Sequence, residues 1–240
     1  MNRIVTLLGL VIMASVAQPA DATISSPLFY EPYAVLPGIG GGLGINAGLT
    51  SADFSSIGDA SDTYLMAKYS ITDQLEAGMR ITSGWLHDHR DSFSDVVIGV
   101  KHGLTMMSAV TAGMAVYNEH DKIGVSAGYL HAMRAGGMNI NSHFQAGFMR
   151  GYAPDGVVIS LNVEPRLELG DRLIGYMDVL LRTNTDHLRN NWAFDIWPNI
   201  DVLIMDSLII NGGITLGIGG KMKQQDPGIH LAALFVAPLH

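Results

Sequence analysis

The sequence predicts an all-β fold: a transmembrane antiparallel β-barrel of about twelve strands, following a cleaved signal peptide. Three observations carry this expectation. The chain opens with an export signal. Apolar residues then recur with a period of two in a series of short segments. The connections between those segments alternate between tight turns and longer polar loops.

The export signal comes first. Met1-Asn2-Arg3 is a short basic start, Ile4–Val16 is an apolar run, and Ala20-Asp21-Ala22 is a small-x-small cleavage site, so cleavage is expected after Ala22. The run is too short for a spanning helix, which needs ~20 apolar residues. The expected organisation is a signal peptide over 1–22, a Pro/Gly-rich lead-in over 23–42, and a barrel over 43–240. Pro27, Pro32 and Pro37 keep the lead-in out of a regular ladder. The Gly38–Gly44 run resembles a phosphate-binding loop only in composition. No helical period follows it, as such a loop requires, so it reads as a glycine-rich edge strand or lead-in.

The hairpin Leu65–Thr82 shows the repeating unit. Leu65, Ala67, Tyr69 and Ile71 alternate with Met66, Lys68 and Ser70. After Thr72-Asp73-Gln74, Leu75, Ala77, Met79 and Ile81 alternate with Glu76, Gly78, Arg80 and Thr82. A period of two puts successive side chains on opposite faces of a strand, so one face is apolar and the other charged.

The same pattern continues to the end of the chain. The predicted strands are Gly44–Thr50, Asp62–Ile71, Leu75–Ser83, Asp95–Leu104, Val110–Tyr117, Ile123–His131, Asn139–Met149, Val157–Leu167, Leu173–Arg182, Trp192–Leu203, Leu208–Ile218 and Ile229–Ala237. Each is near the ~9–11 residues that a tilted membrane strand needs. No segment of the mature chain sustains the helical i, i+3, i+4, i+7 spacing. Asp73-Gln74-Leu75, Asp171-Arg172-Leu173 and Asp206-Ser207-Leu208 repeat as Asp-x-Leu at tight connections, where an Asp side chain is expected to accept from backbone two residues on. Tight turns at one end and longer loops at the other are the layout of outer-membrane barrels, and an even strand count returns both termini to the periplasmic side.

Composition narrows the function class. Charged residues are 15% and hydrophobics 48%, with 28 glycines and no cysteine. A net charge of −8 without a basic block argues against nucleic acid as a partner. An exported chain without cysteine is stabilised without disulfides.

Parity sorts the strands into two faces. Val96, Ile98 and Val100, Phe144 and Phe148, and Met177, Val179 and Leu181 share the apolar one. The opposite face holds Lys68, Glu76, Arg80, Lys101, His143, Glu164, Arg166, Asp178, Arg182, Asp195 and Asp201. These are the candidate lumen residues. A soluble exported β-sandwich has the same pattern turned inside out, so parity alone leaves both open. Tyr69, Tyr129 and Trp192 fall on the apolar face, where aromatic girdles meet lipid interfaces. Pro165 and Pro198 fall within strands and remove ladder donors, which places them near the periplasmic rim or at bulges.

Tyr69-Ser70-Ile71-Thr72-Asp73-Gln74-Leu75-Glu76-Ala77-Gly78 and Asp95-Val96-Val97-Ile98-Gly99-Val100-Lys101 carry a family resemblance. They resemble Gram-negative outer-membrane barrels of the porin and small-solute transporter type, and are similar to the group of meta-pathway phenol-degradation transporters. The resemblance implies an outer-membrane location and passage of a small solute, and it carries no binding residue over. Such barrels usually end in a terminal aromatic, whereas this chain ends Phe235-Val236-Ala237-Pro238-Leu239-His240.

Chemistry-bearing constellations are few. His87, His89 and Asp91 form a loop cluster with donor types suited to a divalent metal. Ordinary solvated loop residues explain them as well, so no metal site is assigned. Ser142 and His143 are adjacent and point oppositely on a strand, and no G-x-S-x-G motif is present, so no enzyme activity is expected. The reading is a barrel that passes small solutes by diffusion through a charge-lined lumen, with no cofactor. Its expected partners are outer-membrane lipid and a small solute, with room for an exported protein partner. The alternative is a non-conducting structural or partner-binding barrel.

Overall fold

The computed structural model describes residues 42–51, 61–72, 74–83, 95–105, 107–117, 122–149, 157–185, 192–220 and 227–238. The expected signal peptide, the lead-in up to residue 41, and the His87/His89/Asp91 cluster lie outside the described residues. The strands are β1 (Gly42–Ser51), β2 (Ser61–Ser70), β3 (Leu75–Ser83), β4 (Asp95–Thr105), β5 (Ser108–Tyr117), β6 (Lys122–Ala135), β7 (Met138–Met149), β8 (Val157–Gly170), β9 (Leu173–Asn184), β10 (Trp192–Met205), β11 (Leu208–Gly219) and β12 (Gly228–Pro238). Each pairs antiparallel with its sequence neighbours, and β1 pairs with β12 to close a single barrel. Closure leaves no strand edge, which a sheet in lipid requires because no water is there to satisfy open N–H and C=O groups.

Gly42 and Pro238 pair with each other at the end of the barrel that carries the tight turns. Strand β1 begins within the glycine run that the sequence assigned to the lead-in. Glycines still offer N–H and C=O groups to the ladder, and β1 uses them on both sides, toward β12 and β2. Threonine sets two of the tight turns. Thr72 Oγ1 accepts from the amides of Gln74 at 3.2 Å and Leu75 at 3.0 Å, and Thr105 Oγ1 accepts from Met107 N at 3.1 Å. A threonine hydroxyl thus sets the turn by accepting from backbone two or three residues on, and Asp73 lies outside the described residues. Gly136, in the β6–β7 turn, has φ 62°, a conformation that costs glycine nothing.

The faces are inverted relative to a soluble protein. Leu65, Ile123 and Phe144 are 52%, 54% and 49% exposed, and the same holds for the outward row of strand after strand around the barrel. The inward rows are buried and polar, including Lys68, Arg80, Asn141, Asn162, Arg166, Asp178 and Asp195. An apolar belt that encircles a closed sheet is a lipid-facing surface, and it rules out the β-sandwich, whose apolar faces would lie inside. Tyr69 and Trp192 point outward at opposite ends of the barrel. Tyr129 also points outward, but from mid-strand. The β6–β7 hairpin overhangs β5, which ends opposite His131, so a position near the end of β5 is only midway along β6.

The two strand prolines lie neither at a rim nor at a bulge. The β8–β9 pairing runs from Val163↔Val179 to Arg166↔Tyr176 without a change of register, and skips the pairs at Glu164 and Pro165. The β10–β11 pairing does the same between Ile196↔Leu216 and Asn199↔Gly213, around Trp197 and Pro198. Each proline costs one ladder bond on one side of its strand, and pairing on the other side stays continuous.

Candidate functional site

The charged inner wall is built from strand parity. An inward residue is followed two positions later by another, so Glu164 and Arg166 on β8, Tyr176 and Asp178 on β9, and Trp197, Asn199 and Asp201 on β10 stack in inward columns. All the candidate lumen residues point inward. All but His143 separate into three groups.

The largest group is centred on Arg166. Its Nη1 donates to Glu164 Oε1 at 2.8 Å, and its Nη2 reaches past β9 to Asp201 Oδ2 at 2.6 Å. The guanidinium also lies over the Tyr176 ring, 4.2 Å from its centroid. Asn211 Nδ2 donates to Tyr176 Oη at 2.6 Å and to Asp201 Oδ1 at 2.7 Å, and Asn141 Nδ2 donates to Glu164 Oε1 at 3.0 Å. One cation thereby links β7, β8, β9, β10 and β11. Beside it, Asp178 accepts from Asn162 Nδ2 at 2.8 Å and from Asn199 Nδ2 at 3.0 Å, so neutral amides hold both of its oxygens. Buried charge is tolerated where it is both paired and hydrogen-bonded, and this cluster supplies both.

The second group is cationic. Lys68 on β2 and Lys101 on β4 approach Glu76 on β3 from either side, at 3.7 and 3.3 Å. Arg80 is the next inward residue but one beyond Glu76 on the same strand and is buried. The third group is one ion pair, Arg182 on β9 with Asp195 on β10, nearer the loop end. His143 stands apart from these groups, with its Nε2 3.5 Å from Thr111 Oγ1 across Gly128. A Cβ on Gly128 would sit 2.5 Å from that imidazole nitrogen. Ser142, beside His143, points the other way and donates to His131 O at 3.2 Å.

Strand β3 stands opposite β9 in a ring of twelve, so the β2–β4 wall faces the β8–β10 wall across the lumen. The first wall presents Lys68, Glu76, Arg80 and Lys101, and the second Glu164, Arg166, Asp178 and Asp201, so charges of both signs stand on both sides of the lumen.

The comparisons with known proteins fit this geometry. No family model matches the chain, and no curated protein is similar to it in sequence. Solved structures do match. The COG4313 outer-membrane channel from Pseudomonas putida F1 aligns with TM-score 0.60 at 10% identity, covering 87% of this chain and 100% of that one. The NanC porin aligns with TM-score 0.57 at 12% identity, covering 80% and 98%. The KdgM porin, in complex with disordered oligogalacturonate, aligns with TM-score 0.56 at 4% identity, covering 81% and 98%.

The chain has the fold of outer-membrane porins and channels. At these identities the likeness lies in the backbone, and the inner-wall residues are this chain's own.

Several inner-wall residues were missed by sequence reasoning. Trp197 packs on Tyr176 inside the barrel. The Tyr64 and His230 rings stack at 6.3 Å with an interplanar angle of 9°, and Tyr64 lies flat over Gly48 of β1 between them. Parity was the available signal, since Trp197 shares it with Asp195 and Asp201, and Tyr64 with Lys68. Hydrophobicity obscured it, because a large aromatic is expected on the apolar face. No group of His, Asp and Glu suited to a metal occurs among the described residues.

Proposed function

We propose that this protein is an outer-membrane channel that passes small solutes by diffusion through a charge-lined lumen. The observation that supports this most directly is the closed barrel whose lipid-type belt is outside and whose paired charges are inside. In this reading Lys68, Glu76, Arg80, Lys101, His143, Glu164, Arg166, Asp178, Arg182, Asp195 and Asp201 line the pathway, and size and charge at its narrowest level decide passage. The protein is not an enzyme and uses no cofactor. Residues 1–22 are removed on export, and both chain ends, which leave from the tight-turn end, lie in the periplasm.

Conductance in a planar bilayer tests the channel, with heat-modifiable gel mobility as the control for a folded barrel. Single-channel steps whose ion selectivity shifts in Arg80→Ala or Lys101→Ala support it. A folded barrel that is silent in the bilayer sinks it.

One observation favours a second reading. The Arg166 cluster ties five adjacent strands together with buried side chains, which is also how a lumen is filled by a structural plug. A silent wild-type barrel that conducts only after Arg166 and Asp201 are truncated together would support that reading.

A further inference from the structure

The inner wall is not polar throughout. Leu203 on β10, Ile209 on β11 and Leu234 on β12 point inward, adjacent in register, near the tight-turn end. Met66 continues the row on β2, across Asn46 of β1, and Ile174 flanks it on β9. A water-filled mouth would wet this apolar arc, yet Ile209 and Met66 are each 1% exposed. Nearer the loop end, Ala115 is 0% exposed, although its inward neighbours are Val97 and Gly124 in register and Gly113 along the strand. The outward Ala112 of the same strand is exposed. Arg80, the register partner of Val97, is long enough to lean over this patch, but it is itself 2% exposed. In a water-filled lumen the tallest side chains must be wetted, so here the wall is covered. About eight strands make a barrel that its own side chains can just fill, and twelve enclose more room.

Reach decides what can cover it. The longest connection at the far rim, 84–94, must enter and return, so it extends only about 18 Å. Ile209 is ten residues along β11 from Gly219 at that rim, about 33 Å. The part of the lead-in before Gly42, residues 23–41, joins β1 at the tight-turn end instead. Fully extended, it spans about 60 Å in a single pass. It carries Leu28, Phe29, Tyr30, Tyr33, Val35 and Leu36, and its one charged residue is Glu31. Pro27, Pro32 and Pro37 favour an extended chain without internal hydrogen bonds, which suits a narrow lumen whose strands are already paired.

We propose that residues 23–41 turn back at Gly42 and occupy the lumen, with their apolar side chains against the Ile209–Leu234 arc. Burial of apolar surface on both sides drives the docking. The lead-in is then a resident plug that a solute must displace on its way through. That consequence rests on the channel reading, whereas the docking itself does not.

The chain has no cysteine, so single introduced thiols report access cleanly. In the folded full mature chain, Val35→Cys is expected to react with a bulky maleimide about tenfold more slowly than after heat unfolding, because access requires local opening. Ile209→Cys should be protected in the full chain and react about tenfold faster once residues 23–37 are deleted. Single-channel conductance should rise in the same deletion. Heat-modifiable gel mobility shows that each barrel is folded, and if the deletion does not fold, Val35→Cys in the full chain decides. A Val35→Cys that labels as fast in the folded barrel as in the unfolded chain would overturn the proposal. So would an Ile209→Cys that stays protected in a folded deletion variant, since the barrel's own side chains would then fill the lumen. A deletion that exposes Ile209→Cys but stays silent in the bilayer would leave the docking standing and overturn the channel reading.

Discussion

Arg166 on β8 and Asp201 on β10 meet at 2.6 Å across the intervening strand β9, above the ring of Tyr176. The two residues are 35 apart in sequence, and parity alone could not pair them. Side chains normally meet partners on the adjacent strand. This contact forms because Tyr176, the register partner of Arg166 on one side and of Asn199 on the other, turns its ring into a floor under the guanidinium, which reaches Asp201 two residues beyond Asn199.

Removing Arg166 leaves Glu164 and Asp201 buried without their cation. Arg166→Met is expected to destabilise the barrel by about 3–5 kcal/mol. Urea titration of the heat-modifiable band checks this. A midpoint unchanged from wild type would show that the cluster is structurally dispensable.

Gly48 and Tyr64 should behave as a coupled pair. A Cβ on Gly48 would enter the Tyr64 ring, which is held by its stack on His230. Gly48→Ala is therefore expected to cost about 1–3 kcal/mol. The cost should fall when Tyr64→Ala is present, and a double-mutant cycle measures that coupling. Additive effects would refute the steric account.

The outer belt predicts a depth profile. Phe144→Arg, in the middle of β7, is expected to cost about 2–4 kcal/mol, whereas Met205→Arg at the tight-turn rim costs about 0–1 kcal/mol. Unfolding equilibria in lipid vesicles would show it. Equal costs at both depths would mean that the belt does not sit in hydrocarbon as described.

At the first tight turn, Thr72→Val removes the hydroxyl that accepts from Gln74 N and Leu75 N. The expected loss is about 0.5–1.5 kcal/mol. Thr72→Ser should restore most of it. A hydroxyl-independent stability would return the turn-setting role to its neighbours.

The number of strands, their order, and which described side chains share a face are legible in the sequence. A period of two is a local property, and local alternation survives any tertiary arrangement. The same locality explains the errors. A missing N–H looks intolerable in a central strand and so argues for a rim or a bulge at Pro165 and Pro198, yet the ladder skips two pairs on one side of each proline and keeps its register. Trp197 was overlooked because its apolar character outweighed its parity.

By itself, then, the sequence determined an alternating chain with one apolar and one charged face. Alternation alone does not say which face is outside, because a sandwich and a barrel share it; the export signal, the strand lengths and the alternating connections point to the barrel. Closure of β1 on β12 fixes it in the structure, since a closed sheet has a single interior and the polar rows occupy it. Closure also set β3 opposite β9, and so set Glu76 and its two lysines across the lumen from the Arg166 cluster. That relationship spans the whole circumference, and no local pattern encodes it.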